Sequence, residues 1–394
     1  MDLPQNFRYA GHHCGIKKAT QTEDLSLVVA DRPCVAAGVY TRNQVVAAPV
    51  VLDRQRTPSS NIRAVIVNSG NANACTGAQG MQDAVAFTEL TAAAIDASPE
   101  QILVMSTGII GEPLPMDVIR TGIPQTAARL GPGEQEFMAA ARGIMTTDTT
   151  TKTCFRSLDA GTGQQISIAG MAKGSGMIGP NMATMLGTIL TDATLTPEAA
   201  QELLGRYVDA SFNSINVDGH TSTNDTVLLL ASGQGEPFTG DHLEAFASQL
   251  EAVCIDLAKQ IVSDGEGATH LVEIRIEGAD NDADARLLAE AIANSPLVKT
   301  AFAGNDPNWG RIVSAAGYAG PAMDIESTRL ALNGTLLFEA GTPVAFDAEQ
   351  VAADMQQNRD MLVELRVGKG SGVCRFWTCD LTHEYVTINA EYHT

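Results

Sequence analysis

Three stretches of this sequence hold residue types that could do chemistry. The first is 170–192, GMAKGSGMIGPNMATMLGTILTD. It is rich in Gly and Met, has Lys173 as its one charge before Asp192, and holds Thr184, Thr188 and Thr191. A threonine hydroxyl is a weak nucleophile that needs an adjacent base. Without one, threonines in an apolar run are β-branched filler. The second stretch lies inside the first: Gly174-Ser175-Gly176-Met177-Ile178-Gly179 spells G-x-G-x-x-G after a possible strand at Gln165–Ala169. A dinucleotide site would need a helix opening within those glycines and an acid about 20 residues on. Pro180 lets a helix begin only after them, so the run reads as a turn that brings backbone close to something. The third is a set of metal-type ligands: His12-His13-Cys14, and Cys374, Cys379 and His383. Adjacent side chains in an extended segment cannot all meet one ion, and a structural zinc site wants four ligands. Buried or half-buried thiols are the simpler reading.

The elements that must position such residues are legible as short apolar runs. Leu25–Ala30, Val35–Thr41, Ala64–Asn68, Ile102–Met105, Val227–Ala231 and Leu271–Ile276 read as strands. The last alternates, with Leu271, Glu273 and Arg275 on one face and Val272, Ile274 and Ile276 on the other. Asp83–Ala97 reads as a helix. Thr196-Pro197-Glu198 opens another that runs to about Ser211, with a hydroxyl cap, Pro at the first position and an acid at the positive end of the dipole. Asp241 caps a third, to about Val262, and Ala283–Ala293 is a fourth. The tail from Met361 to Ala390, rich in Val, Thr and aromatics, reads as strands. Strands and helices mix without a regular βαβ beat, which makes this an α+β chain. An acidic stretch at 278–284 marks a soft boundary.

With 394 residues the chain can build two or three core units. Its net charge of −21 repels phosphate backbones, so nucleic acid is a poor partner, and an anionic substrate needs a locally positive pocket. Seven scattered cysteines and no basic-then-apolar leader point to a reducing, cytoplasmic setting. No apolar run approaches the ~18 residues of a membrane span.

At 173–186 the sequence closely resembles the self-cleavage region of the glutamate N-acetyltransferase/ornithine acetyltransferase family of arginine biosynthesis. The residues are Lys173-Gly174-Ser175-Gly176-Met177-Ile178 and Pro180-Asn181-Met182-Ala183-Thr184-Met185-Leu186. Further motifs match in order along nearly the whole chain. They include Gly15-Ile16-Lys17, the run from Asn68 to Gly77, Ser106-Thr107-Gly108 and Met145-Thr146-Thr147-Asp148-Thr149. Beyond Thr184 come the run from Asp218 to Thr226, Asp264-Gly265-Glu266-Gly267, Asp306-Pro307-Asn308-Trp309 and Ile388-Asn389-Ala390.

The resemblance implies a layered α/β/β/α arrangement of the ornithine acetyltransferase/β-aminopeptidase kind with a C-terminal α+β domain. It implies self-cleavage between Ala183 and Thr184. The α fragment would be 1–183 and the β fragment 184–394, with 184–278 completing the catalytic core and 279–394 forming the C-terminal domain. It makes Thr184 the nucleophile, with its freed α-amine, reference pKa ~7.7–8, as a base for its own hydroxyl. Thr107 and Gly108 map to the oxyanion hole. Thr146, Lys173, Thr184, Glu266, Asn389 and Thr394 map to substrate contacts. The implied reaction passes an acetyl group from N-acetylornithine to glutamate through acetyl-Thr184, with no metal or organic cofactor, in a heterotetramer of two α and two β fragments. Some members also take acetyl-CoA as donor, and no residue here distinguishes the two kinds. The rival within the fold is a self-processing β-aminopeptidase, whose nucleophile is usually serine. Asn216, His220 and Asn305 depart from the family's pattern and bear on selectivity, not on the nucleophile.

Overall fold

The computed structural model describes residues 2–18, 21–159, 165–179 and 185–391. Its strands in the first half are β1 (Phe7–His12), β2 (Leu25–Tyr40), β3 (Ser59–Asn71), β4 (Ile102–Ile109), β5 (Lys152–Asp159), β6 (Gln165–Lys173) and β7 (Leu186–Thr191). Then come β8 (Ile215–Asn216), β9 (Thr226–Ala231), β10 (Leu271–Ala279), β11 (Arg329–Leu332), β12 (Thr335–Glu339), β13 (Thr342–Pro343), β14 (Asp360–Arg366) and β15 (Gly372–Cys379). The α-helices are α1 (Ala48–Arg54), α2 (Gly77–Ile95), α3 (Met116–Ala127), α4 (Glu134–Gly143), α5 (Pro197–Asp209) and α6 (Gly240–Ser263). They continue with α7 (Asp282–Asn294), α8 (Pro296–Ala303), α9 (Trp309–Gly317), α10 (Ala348–Gln357) and α11 (His383–Glu391).

The first sheet runs β4-β3-β2-β9-β7-β6-β5, with β1 beside the front half of β2. Its shape follows from β2. The two strands expected at 25–30 and 35–41 are one strand, passing without a break through exposed Asp31-Arg32-Pro33. Residues 25–29 pair with β3 and residues 35–40 with β9, and the register shifts in between. Such bulges bend a strand. The bend folds the sheet onto itself, so Val28, Val65, Leu103 and Met105 of one half share a core with Met171, Leu190, Leu228 and Leu230 of the other. Successive strand residues face opposite ways. The outer face of the front half therefore presents Leu27, Ile66 and Val104 to Phe87 of α2 and Ile119 and Ile123 of α3. The outer face of the back half presents Ile168, Ile189 and Leu229 to Leu203 and Leu204 of α5 and Leu250 and Leu257 of α6. The order is helix, sheet, sheet, helix, the layering expected.

The second sheet runs β13-β12-β11-β14-β10-β15-β8. The alternation read in β10 holds: Val272, Ile274 and Ile276 are buried against Leu288 and Ile292 of α7 and Met355 of α10, while Glu273, Arg275 and Glu277 face away. Trp377 and Cys379 of β15 pack into the core beside α6, which joins the two sheets into one body. The acidic stretch 278–284 spans the end of β10 and the start of α7.

The Thr196 cap is as read, with its hydroxyl accepting from Ala199 N–H at 3.1 Å. Asp241, in contrast, lies inside the first turn of α6, behind Thr239 at the cap. The tail also departs from expectation. β14 and β15 are strands, but 383–391 is the helix α11. Its Tyr, Val, Thr and Ile favour strands only where a pleated neighbour exists. Here tertiary bonds decide: the Thr382 hydroxyl to Gly267 O, Tyr385 to Asp218, and Asn389 to Glu266. Among the described residues, no helix is long and apolar enough to cross a membrane.

Candidate active site

The site forms where four strands bring their ends together. β6 is antiparallel to β7 with Lys173 opposite Leu186, and β9 is parallel to β7 with Thr226 beside Leu186. Lys173 is thus placed at the point where the chain enters β7. It is fully buried, and its Nζ donates to the Thr107 hydroxyl oxygen of β4 at 3.4 Å. That leaves the Thr107 hydroxyl hydrogen free to point elsewhere. Burial lowers the Lys173 pKa, with the Asp148 charge pulling against it.

A carboxylate–lysine network holds this corner. Lys152, also buried, donates to Asp148 at 2.6 Å and to Asp264. Asp148 further accepts the Gly174 N–H at 2.7 Å and the Thr146 N–H at 2.9 Å. Burial opposes the charge on Asp148, but Lys173 and Lys152 outweigh it and bring the carboxyl down to about 2. The result fixes the start of the glycine loop after β6 and the threonine pair before β5.

The glycine loop is a place of close approach, as its composition suggests. A Cβ on Gly176 would lie 2.4 Å from a Glu266 carboxylate oxygen, and one on Gly179 2.7 Å from the backbone of Gly219. Asp218 clamps the loop, accepting Met177 N–H at 2.7 Å and Ile178 N–H at 2.9 Å. Asn389 of α11 donates to Glu266 at 2.8 Å. Of the residues that depart from the family's pattern, Asn216 has a structural part. It bonds Ala293 O and takes the Gly219 N–H, so it supports the turn that Gly179 abuts. His220 is exposed, and Asn305 sits at φ 53 in a turn far along the chain.

Thr107, Gly108, Thr146, Lys173, Glu266 and Asn389 all line one cleft. Ala183, Thr184 and Thr394 lie outside the described residues, but Leu186, two residues after Thr184, pairs with the cleft's Lys173. Thr147, Met177, Ser222 and Asn224 line the cleft too. Sequence reading assigned these no role, although each stood in a quoted motif. Thr146 and its neighbour Thr147 both reach the cleft. Elsewhere, His12 meets Gln125 and His13 meets Thr22 O and Asp24. Cys14 and Cys374 are half-buried and Cys379 is buried.

A buried cation, a hydroxyl–glycine pair and a carboxylate converge in one cleft, on a helix–sheet–sheet–helix core. The class of protein this fits is an acyltransferase. The ArgJ family model matches residues 8–394, and the chain belongs to that family. It is 50% identical to the arginine biosynthesis bifunctional protein ArgJ of Rhodopirellula baltica, over all of this chain and 96% of that one. The protein of the same name from Geobacter sulfurreducens is 47% identical over 99% of both. Among solved structures, the arginine biosynthesis bifunctional protein ArgJ of Bacillus halodurans matches with a TM-score of 0.51 and 39% identity. That match covers 52% of this chain and 98% of the other.

Proposed function

We propose that this enzyme transfers the acetyl group of N-acetylornithine to glutamate through acetyl-Thr184, after cutting itself between Ala183 and Thr184. The observation that carries the reading is the convergence of Thr107, Gly108, Thr146, Lys173, Glu266 and Asn389 on one cleft, whose Lys173 pairs with Leu186, two residues after Thr184. Cleavage there would leave fragments of 183 and 211 residues. The solved relative's chain supports this, being matched almost whole by about half of the present one.

The chemistry needs only groups of the chain. The Thr184 hydroxyl attacks the acetyl carbonyl, its own freed amine takes the proton, and the oxyanion is met by the Thr107 hydroxyl and the Gly108 amide. Ornithine leaves, and the glutamate amine attacks the acetyl ester by the reverse path. Both amino acids carry an α-carboxylate, for which Lys173 is the buried cation. Glu266 meets the ornithine side-chain ammonium. The folded sheet takes β1–β6 from the first fragment and β7 and β9 from the second, so the cut chain stays one body. The family's assembly is two of each fragment.

The test is the denatured mass of fresh protein, followed by incubation with N-acetylornithine alone. Two species, the larger beginning at Thr184 and gaining one acetyl group, are expected. Glutamate should then remove that group. A single species of 41.4 kDa that gains none would overturn the reading. Lys173→Met separates binding from chemistry. Losing a charge-assisted contact to the carboxylate costs ~2–3 kcal/mol, about a hundredfold in the KM for glutamate. An unchanged KM would take Lys173 out of the carboxylate site.

A further inference from the structure

Lys152 is a buried cation that none of the roles above employs, and its contacts link two of the charged groups that line the cleft. A lysine ammonium has three hydrogens to donate. Those of Lys152 go to Asp148 Oδ1 at 2.6 Å, to Thr150 O at 3.3 Å and to Asp264 Oδ2. All three stay within the protein, so none is left for a substrate. On one side, Asp148 accepts the N–H groups of Thr146 and Gly174, and Gly174 follows Lys173 directly. On the other side, Asp264 stands two residues before Glu266. Its carbonyl accepts the Ser175 hydroxyl at 2.6 Å, and the Ser175 carbonyl accepts the Glu266 N–H at 2.9 Å. The contacts close a ring, Asp148–Lys152–Asp264–Ser175–Gly174, whose rim carries Lys173 and Glu266. Lys152 holds the two carboxylates of that ring together. The side chains of Asp148 and Asp264 are 0% and 10% exposed, so solvent ions screen them little. Without Lys152, the attraction becomes a repulsion between them. Asp148 keeps the charge of Lys173 nearby, whereas Asp264 loses its one ion-pair partner among the described residues. The displacement therefore falls on the Glu266 side.

We propose that Lys152 is a positioning residue that sets the spacing between Lys173 and Glu266, and with it the preference for a donor carrying a carboxylate at one end and an ammonium at the other. The proposal rests on the reading of the preceding subsection, in which Lys173 takes the α-carboxylate and Glu266 the ornithine ammonium. The spacing matters because both ends of one substrate must be met at once. A misplacement of about 1 Å is enough to lose about 10²-fold in rate. Lys152 lies on β5, in the fragment that ends at 183, and Asp264 lies in the fragment that begins at 184. The spacing is therefore held across the two fragments. A donor without the ammonium needs only the Lys173 end, so it is the less sensitive of the two to the loss of Lys152.

The test compares two acetyl donors, N-acetylornithine and N-acetylnorvaline, whose side chain ends in a methyl group where ornithine has its ammonium. kcat/KM is measured for both with the natural enzyme, Lys152→Met, Glu266→Gln and the double variant, each first shown by denatured mass to be cut. Lys152→Met should lower kcat/KM for N-acetylornithine by about 10²-fold and for N-acetylnorvaline by less than about tenfold. The preference for the ammonium-bearing donor then falls by about tenfold or more. Glu266→Gln removes that preference by itself, so adding Lys152→Met to it should leave the ratio of the two donors within about twofold. An equal loss for both donors overturns the proposal, because a merely structural lysine lowers both alike. So does a further fall of about tenfold in the ratio on the Glu266→Gln background. Where Lys152→Met does not fold or is not cut, Asp264→Asn takes its place, since it keeps the shape and removes the charge that Lys152 holds. An unchanged preference in Asp264→Asn overturns the proposal. If Glu266→Gln keeps the natural preference, or the natural enzyme takes no acetyl group from N-acetylornithine, the reading of the preceding subsection fails and this proposal falls with it.

Discussion

Thr184→Ala yields an uncut 394-residue chain whose acetyl transfer falls by about 10⁴-fold or more, to the residual rate that binding and an oxyanion hole alone sustain. Two losses combine in this one substitution. The methyl group cannot attack the Ala183 carbonyl, so the peptide bond stays. The α-amine that would serve as base is therefore never released, and no hydroxyl remains to carry the acetyl group. Thr184→Ser separates the two. It keeps the oxygen and lacks only the methyl, so it should still be cut and should still transfer acetyl, at a reduced rate. The measurement is denatured mass for cleavage and release of ornithine from N-acetylornithine for chemistry. A cleaved or active Thr184→Ala protein would place the nucleophile elsewhere. The cleft would then need another hydroxyl, and among the described residues Thr107, Thr146, Thr147 and Ser222 line it.

What could be read from the sequence was local. The capping hydroxyl of Thr196 and the two-faced alternation of β10 depend on neighbours a few residues away, and both stand in the structure. The continuity of β2 could not be read, because Asp31-Arg32-Pro33 looks like a turn until β3 and β9 are present on either side to pair with the flanking residues. α11 was lost for the same reason. Its residues favour strands, and the bonds that make it a helix come from Gly267, Asp218 and Glu266, more than a hundred positions away. The site residues came from motif resemblance, since spacing alone cannot show that Lys173 reaches Thr107 across 66 positions. Nor could it show the Asp148–Lys152–Asp264 network, which closes over 112 positions. The glycine loop is the exception. Its composition alone implied close backbone approach, and Gly176 and Gly179 meet Glu266 and Gly219 that way.

Gly108→Ala should lower kcat by about 10²–10³-fold, some 2.7–4 kcal/mol, with a smaller change in KM. The reason is the space between two strands. β3 and β4 pair in parallel with Gly70 beside Gly108, and Gly108 sits at φ 134, where an L side chain is strained. An added Cβ would lie 2.3 Å from the carbonyl carbon of Gly70 and 2.4 Å from the nitrogen of Asn71. Those are backbone atoms held by a ladder that extends back to Ala64 and Ile102, so no side-chain rotation relieves the contact. The end of β4 must move away, and it carries both the Thr107 hydroxyl and the Gly108 amide. A donor displaced by about 1 Å from a developing oxyanion is enough to cost two orders of magnitude in rate. Gly111→Ala is the control. Gly111 also has a positive φ, 87, but an added Cβ there meets nothing within 4 Å. It should lose stability to the same kind of strain while keeping kcat within a few-fold. If both variants lose activity alike, the effect is general strain near β4. If Gly108→Ala alone loses kcat, the close approach of the two glycines is what aims the oxyanion donors. The backbone would then be strained at 108 because the reaction needs a donor there, with Gly70 and Gly108 the residues that make the strain tolerable.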